Sequence, residues 1–277
     1  MNPDTILQID SVRKSFVRNI VNVRGHSEDE RFNILENIDL AIPQNKVTAL
    51  IGGNGAGKTT LFNIISGFYS ADEGSITFKP NGSQVVITNL KPFKITRYGI
   101  GRLFQDNHVF QDMTVMENML VADKNYFGER PFASILYPGK NRDFEIQRTK
   151  AAENIFVDLF GAENPFLRMK HEKAKLLSYG QQRLLGLARL LMGDYKIFLL
   201  DEPTSGVNPA VIKKIKEIIK YIVENKGITV FLIEHNMNFV MEVSDFCHFM
   251  SKGIIATGGT PEDIIGNPEV RKTYLGI

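Results

Sequence analysis

Gly52-Gly53-Asn54-Gly55-Ala56-Gly57-Lys58-Thr59 decides how the rest of the chain is read. These eight residues match G-x-x-x-x-G-K-[ST], a loop built to hold phosphate. Just before them, Val47-Thr48-Ala49-Leu50-Ile51 is a short, dense apolar run, expected as a buried strand of a parallel sheet. Just after them, Leu61, Ile64 and Ile65 fall on one side of a helix expected from Thr59 to Ser66. Strand, glycine-rich turn and helix in that order are the setting the phosphate chemistry requires. Small residues let the backbone N–H groups of Asn54, Gly55, Ala56 and Gly57 close round a β-phosphate. The helix N-terminus adds donors and partial positive charge. Lys58 can reach the β- and γ-phosphates, and the Thr59 hydroxyl can ligate Mg²⁺. Thr60, next along the helix, is placed for the α-phosphate. The implied cofactors are ATP and Mg²⁺.

A second strand carries the metal chemistry. Ile197-Phe198-Leu199-Leu200 runs straight into Asp201 and Glu202. The carboxyl end of a strand is where an open α/β sheet places its ligand. Asp201 is expected to hold Mg²⁺, largely through water, and Glu202 to polarise the attacking water beside the γ-phosphate. A pair of carboxylates at a strand end is commonplace as a solvated terminus. Beside a phosphate loop it acquires a purpose, because Mg²⁺ needs hard oxygen ligands.

Outward from these two strands, Leu7 to Val12 and Ile38 to Ile42 alternate apolar and polar, the pattern of half-buried strands. The polar stretch 19–31 between them, with few large apolar side chains, reads as an exposed loop. Ile76 to Phe78 and Val85 to Ile87 read as short strands. From about Val115 to Met192 the pattern is helical and contains no convincing strand. Strand and helix then alternate again. Ile212, Ile215, Ile218, Ile219 and Ile222 make one helical stripe, and Ile228 to Ile233 makes another buried strand. Phe246 to Met250 and Ile254 to Ala256 read as a hairpin round Lys252-Gly253. Short helices, broken at Pro268, follow.

Composition narrows the class. The 277 residues carry 33 Lys plus Arg against 31 Asp plus Glu, so a surface that coats nucleic acid is not expected. The single cysteine, Cys247, excludes an internal disulfide and a thiolate cluster. No apolar run approaches a membrane span, and no signal-like segment opens the chain. His26, His108, His171 and His248 do not cluster with carboxylates, and no metal site is assigned to them.

Leu177-Ser178-Tyr179-Gly180-Gln181-Gln182-Arg183 lies between the phosphate loop and the acidic strand. It is similar to the L-S-G-G-Q signature of the ATP-binding subunits of ABC transporters, with Tyr179 in place of the first glycine. In order and spacing the chain resembles that family over nearly its whole length. The resemblance implies an α/β fold: a P-loop NTPase (RecA-like) core with an antiparallel β subdomain and an inserted helical subdomain. Residues 1–114 and 193–277 would form the core with its β subdomain, and 115–192 the helical subdomain carrying the signature. It places Phe16 against adenine, and Gln105 at the junction where Mg²⁺ or the water is contacted and the transmembrane partner sensed. It places His235 at the γ-phosphate, and Ser178, Gly180 and Gln181 on the ATP of a second subunit. It implies a head-to-tail dimer with an identical or paralogous subunit, docked on transmembrane permease subunits and served indirectly by a substrate-binding protein. The location implied is peripheral, at the cytoplasmic face of the cell membrane, without nucleic acid.

Within the family the chain most resembles the LivG-type ATPases of branched-chain amino-acid importers. The likeness rests on residues 179–183, on the segment from Val121 to Asp143, and on 267–276. Urea importers and lipopolysaccharide exporters share parts of that pattern. A non-transport ATPase acting on ribosomes or DNA is disfavoured by the single phosphate loop. A module that binds ATP without hydrolysis is disfavoured by Glu202 and His235. Two features depart from the family: the insertion after Phe16 is long, and Asn208 stands where Asp is common. Local structure gives some of these residues a second use. Ser178 with Gln181 forms a capping box, and Asn208-Pro209 an N-cap and first-turn pair. The basic run Arg168, Lys170, Lys173 and Lys175 reads either as a solvated face or as a partner contact.

Overall fold

A computed structural model describes residues 4–21, 27–106, 109–123 and 138–275. Among the described residues, ten strands build two sheets. The first is antiparallel, in the order β2-β1-β4-β5, from β1 (Thr5–Val21), β2 (Ser27–Pro43), β4 (Glu73–Phe78) and β5 (Val85–Val86). The second has six strands, in the order β10-β9-β3-β8-β7-β6. Its members are β3 (Val47–Ile51), β6 (Ile100–Leu103), β7 (Ile197–Asp201), β8 (Thr229–Ile233), β9 (Phe246–Ser251) and β10 (Ile254–Gly259). Every pairing in it is parallel except that of the edge strand β10 with β9.

All five residues of β3, β7 and β8 are buried, because both faces of this sheet are covered. Alternation sorts their side chains into two cores. Ala49, Ile51, Phe198, Leu200, Val230 and Leu232 join one core with the isoleucines of α7 (Pro209–Lys226). That core also takes Leu185 and Leu187 of α6 (Tyr179–Leu190). Leu50, Leu199, Phe231 and Ile233 point the other way. They pack on Leu61, Phe62 and Ile65 of α1 (Lys58–Ile65) and on the antiparallel sheet. The phosphate loop is thereby held at the carboxyl edge of a sheet braced from both sides.

The described elements between β6 and β7 are helical: α3 (Val115–Leu120), α4 (Pro138–Phe160), α5 (Pro165–Arg168) and α6, with one 3₁₀ turn at Ala174–Leu176. Residues 124–137 of the segment likened to LivG lie outside the described residues. The remaining helices are α2 (Pro92–Tyr98), α8 (Met237–Val243), α9 (Pro261–Gly266) and α10 (Pro268–Leu275), the last two separated at Pro268 as expected. Among the described residues, no helix is long and apolar enough to cross a membrane.

One expectation is corrected. The stretch 19–31 is not a loop on either side of residues 22–26, which themselves lie outside the described residues. β1 and β2 stay in antiparallel register through Arg18↔Glu30, Asn19↔Asp29 and Val21↔Ser27. Ladder hydrogen bonds hold a hairpin arm that needs no apolar face of its own. Strand β6 gave no apolar run to read, since Gly101 and Arg102 sit in its middle.

Candidate functional site

The sequence fixes the phosphate loop by crowding. Gly57 has φ 107°, and a Cβ there would lie 2.7 Å from Leu35 Cδ2 and 3.0 Å from the Ile34 carbonyl. Only glycine fits both the left-handed backbone and the close approach of β2. Lys58 opens α1 and folds back over the loop. Its Nζ donates to the carbonyls of Gly52 at 2.8 Å and Gly53 at 3.0 Å. Burial lowers the pKa of this ammonium, while Glu202 and Asp201 nearby pull it back up. The charge is thus held over the loop, where phosphate oxygens would arrive.

A cavity of about 430 Å³ opens above it. Asn54, Gly55, Ala56, Gly57, Lys58, Thr59 and Thr60 line one side, and Gln105, Glu202 and His235 another, with Ile34 beside them. Seven of these ten expected groups come from one loop and its helix, whereas Gln105, Glu202 and His235 follow the ends of β6, β7 and β8. His235 Nε2 lies 3.0 Å from Glu202 Oε1. Glu202 takes φ 46°, a conformation costly for a bulky side chain. Its N–H donates to the Ile233 carbonyl at 3.0 Å, and its carbonyl accepts from Ser205 N–H at 3.1 Å.

Asp201 sits just beneath, 1% exposed. Its Oδ2 accepts from Arg102 Nη2 at 2.9 Å, while Oδ1 is buried with no partner among the described residues. Burial drives the Asp201 carboxyl upward, and the Arg102 guanidinium only partly offsets this. The donor set fits Mg²⁺. A buried carboxylate oxygen without a partner, the Thr59 hydroxyl and the Gln105 amide are hard ligands, too few for a cage of their own. Mg²⁺ takes few protein ligands when phosphates and waters supply the rest.

Two groups were not legible beforehand. Arg102 interrupts β6, where it also donates to Asn63 Oδ1 at 2.8 Å and Ser66 Oγ at 2.7 Å. Glu234, 2% exposed, accepts from Thr204 N–H and Oγ through Oε1, and from the N–H groups of His235 and Asn236 through Oε2. It fixes the turn that presents His235. A lone Glu beside the expected His carried no spacing signal.

Ser178, Gly180 and Gln181 do not line this cavity. They open α6, where Ser178 Oγ accepts from Gln181 N–H at 3.3 Å and Gln181 Oε1 from Ser178 N–H at 2.8 Å. The capping box is therefore real, and Gly180 has no room for a Cβ, which would meet Val211 Cγ2 at 2.7 Å. Asn208 caps α7 by accepting from Val211 N–H at 3.0 Å, which accounts for its side chain locally. In the basic run, Arg168 pairs with Glu163, Lys170 with Glu153, and Lys173 and Lys175 with Asp112. Phe16 also stays outside the cavity lining. Its ring lies 6.3 Å from that of Phe32, its cross-strand partner, and 5.5 Å from that of Tyr69.

The profile of a family described as "ABC transporter" matches residues 35–205. The probable branched-chain amino acid transport ATP-binding protein LivG of Archaeoglobus fulgidus is 36% identical over 245 residues, 87% of this chain and 89% of that protein. The high-affinity branched-chain amino acid transport ATP-binding protein LivG of Salmonella typhimurium is 35% identical, with 87% and 91% covered. BraF of Pseudomonas aeruginosa, which bears the same description, is 36% identical, with 86% and 90% covered. Among solved structures, the ADP conformation of an ATP-binding cassette of an ABC transporter superposes with a TM-score of 0.76 at 30% identity, covering 99% of each chain. A nucleotide-free ATP-binding cassette gives 0.75 at 31% identity, covering 99% of this chain and all of that one.

Proposed function

Because the chain belongs to the ABC transporter family as an ATP-binding subunit, we propose that it is the ATPase motor of an importer for branched-chain or other small hydrophobic amino acids. The observation that carries the chemistry is the Glu202–His235 pair, 3.0 Å apart, at the cavity formed by the phosphate loop. The backbone N–H groups of the loop and Lys58 bind the phosphates of ATP. Thr59, Asp201 and Gln105 would hold Mg²⁺, which would supply neutralisation of phosphate charge. Glu202 orients a water and accepts its proton on a carboxylate oxygen, with His235 Nε2 3.0 Å from Oε1. His235, steadied by Glu234 through its backbone, holds that carboxylate and faces the γ-phosphate.

Within one chain the signature residues do not line the cavity, which supports a site completed by a second subunit. Ser178 and Gly180 of each copy would meet the ATP of the other, in a head-to-tail dimer at the cytoplasmic face of the membrane. Binding closes the dimer, hydrolysis reopens it, and permease subunits near Gln105 receive the motion. The cargo class is supported by the names of the LivG and BraF relatives. Co-purification from membranes tests the whole reading. Recovery with two hydrophobic permease chains, and uptake of labelled leucine that is lost in Lys58→Ala, is expected. Recovery with ribosomes, or uptake unchanged in that variant, overturns it.

A further inference from the structure

Arg183, two residues beyond Gln181 on α6, is the largest side chain with essentially no exposure among the described residues. Its acceptors are backbone carbonyls. Nε donates to Pro203 O at 3.1 Å. Nη1 donates to Phe104 O at 2.7 Å and Gln105 O at 2.9 Å. Nη2 donates to Asp201 O at 3.0 Å and Glu202 O at 2.6 Å. A guanidinium offers five N–H donors in a rigid fork, and here all five are used. Burial lowers the pKa of this group, a cost that an apolar side chain at the same place would avoid. The arrangement gains definition instead. It ties the signature helix to the segment after β6 and to the turn after β7.

Those two segments carry Gln105 and Glu202. Glu202 is the residue whose backbone most needs holding, since its φ of 46° is left-handed. The shortest of the five hydrogen bonds ends on its carbonyl. We propose that Arg183 is a positioning residue that locks Glu202 and Gln105 onto the signature helix, so that seating Ser178 and Gly180 on a second subunit's ATP sets the hydrolytic geometry of the first subunit's own site. This rests on the cross-subunit reading of the signature given above. Neither the phosphate loop nor His235 is held by Arg183, so ATP affinity should not depend on it.

The test uses the full chain with Arg183→Lys, which keeps the charge but loses the planar fork, and Arg183→Gln. Folded Arg183→Lys should bind one ATP per chain with affinity within about threefold of wild type. Its kcat should fall about 100-fold with KM nearly unchanged, the scale of an ångström of misplacement. Its Hill coefficient for ATP should fall towards one. A kcat within threefold of wild type, or a loss matched by equal loss of ATP-binding stoichiometry, overturns the proposal. The second result is what a merely structural role would give. If neither variant folds, hydrogen exchange on Glu202→Gln decides. Protection of 104–105 and 201–205 should rise with that of 181–187 at the same ATP concentration, and independent responses overturn the proposal. Sedimentation of Glu202→Gln with ATP checks the underlying reading separately: a monomer refutes cross-subunit use of the signature, whereas kcat judges the hold on Glu202.

Discussion

Arg102 Nη2 donates to Asp201 Oδ2 at 2.9 Å, and both side chains are almost wholly buried. The pair offsets part of the cost of holding a carboxylate in an apolar setting. Breaking a buried pair costs roughly 3–5 kcal/mol, because the remaining charge is stranded. Arg102 also lies 4.5 Å from the Phe104 ring centroid, so the guanidinium is packed as well as paired.

The first prediction follows from that pair. With Arg102→Ala, only the weaker pull of Arg183 opposes burial at the Asp201 carboxyl, and its pKa rises further. Protonated carboxyl cannot serve Mg²⁺, so Mg²⁺-dependent ATP binding should weaken by about tenfold or more and worsen as pH falls. Arg102→Lys should recover part of the loss. Nucleotide binding in EDTA should be unchanged. Calorimetry with and without Mg²⁺, from pH 6 to 8, measures this, and equal losses in both conditions would refute it.

The second prediction concerns Glu202. Glu202→Gln keeps the shape of the side chain beside His235, but cannot take a proton from water. Turnover should fall at least ~100-fold, the scale of general-base assistance, while ATP binding stays intact. The closed dimer should accumulate with ATP. Steady-state hydrolysis within threefold of wild type would remove Glu202 from this role.

These sites differ in how far the sequence exposed them. The phosphate loop, both buried strands beside it and the isoleucine stripe of α7 were legible, because local pattern and local chemistry agree there. Arg102 and Glu234 were not, because their partners lie 99 and 30 residues away and no spacing announces them. The 19–31 arm misled for a different reason. Its polarity matches a loop, but strands paired on both sides of residues 22–26 satisfy their backbone without an apolar face.

The third prediction tests the signature. Gly180 is packed against Val211, and Gly180→Asp would place a carboxylate at the start of α6, where a γ-phosphate of the second subunit is expected. In a Glu202→Gln background this variant should bind ATP but sediment as a monomer. Because Val211 crowds the site, Gly180→Ala serves as a control, since it adds bulk without charge. A monomer with Asp and a dimer with Ala isolates the charge clash. A stable dimer with Asp would exclude the phosphate contact.

The fourth prediction concerns adenine. Phe16 and Phe32 oppose each other across the hairpin, ring centroids 6.3 Å apart, and Ile34, two residues along from Phe32, lines the cavity. An aromatic face suits a purine and tolerates its rotation, and stacking of this kind is worth roughly 1–3 kcal/mol. Phe16→Ala should therefore weaken ATP binding by about 5- to 150-fold, while Phe16→Tyr should change it little. Lys14 Nζ lies 5.3 Å from the Phe16 ring centroid, and Tyr69 meets that ring edge-on, so one face is already engaged. Stacking would then have to use what remains of Phe16, or pass to Phe32, which is 40% exposed. Titration of Phe16→Ala and Phe32→Ala, with folding checked by circular dichroism, separates the two. A loss confined to Phe32→Ala would show that Phe16 only buttresses the arm. Loss in neither would show that ATP is held here by its phosphates alone.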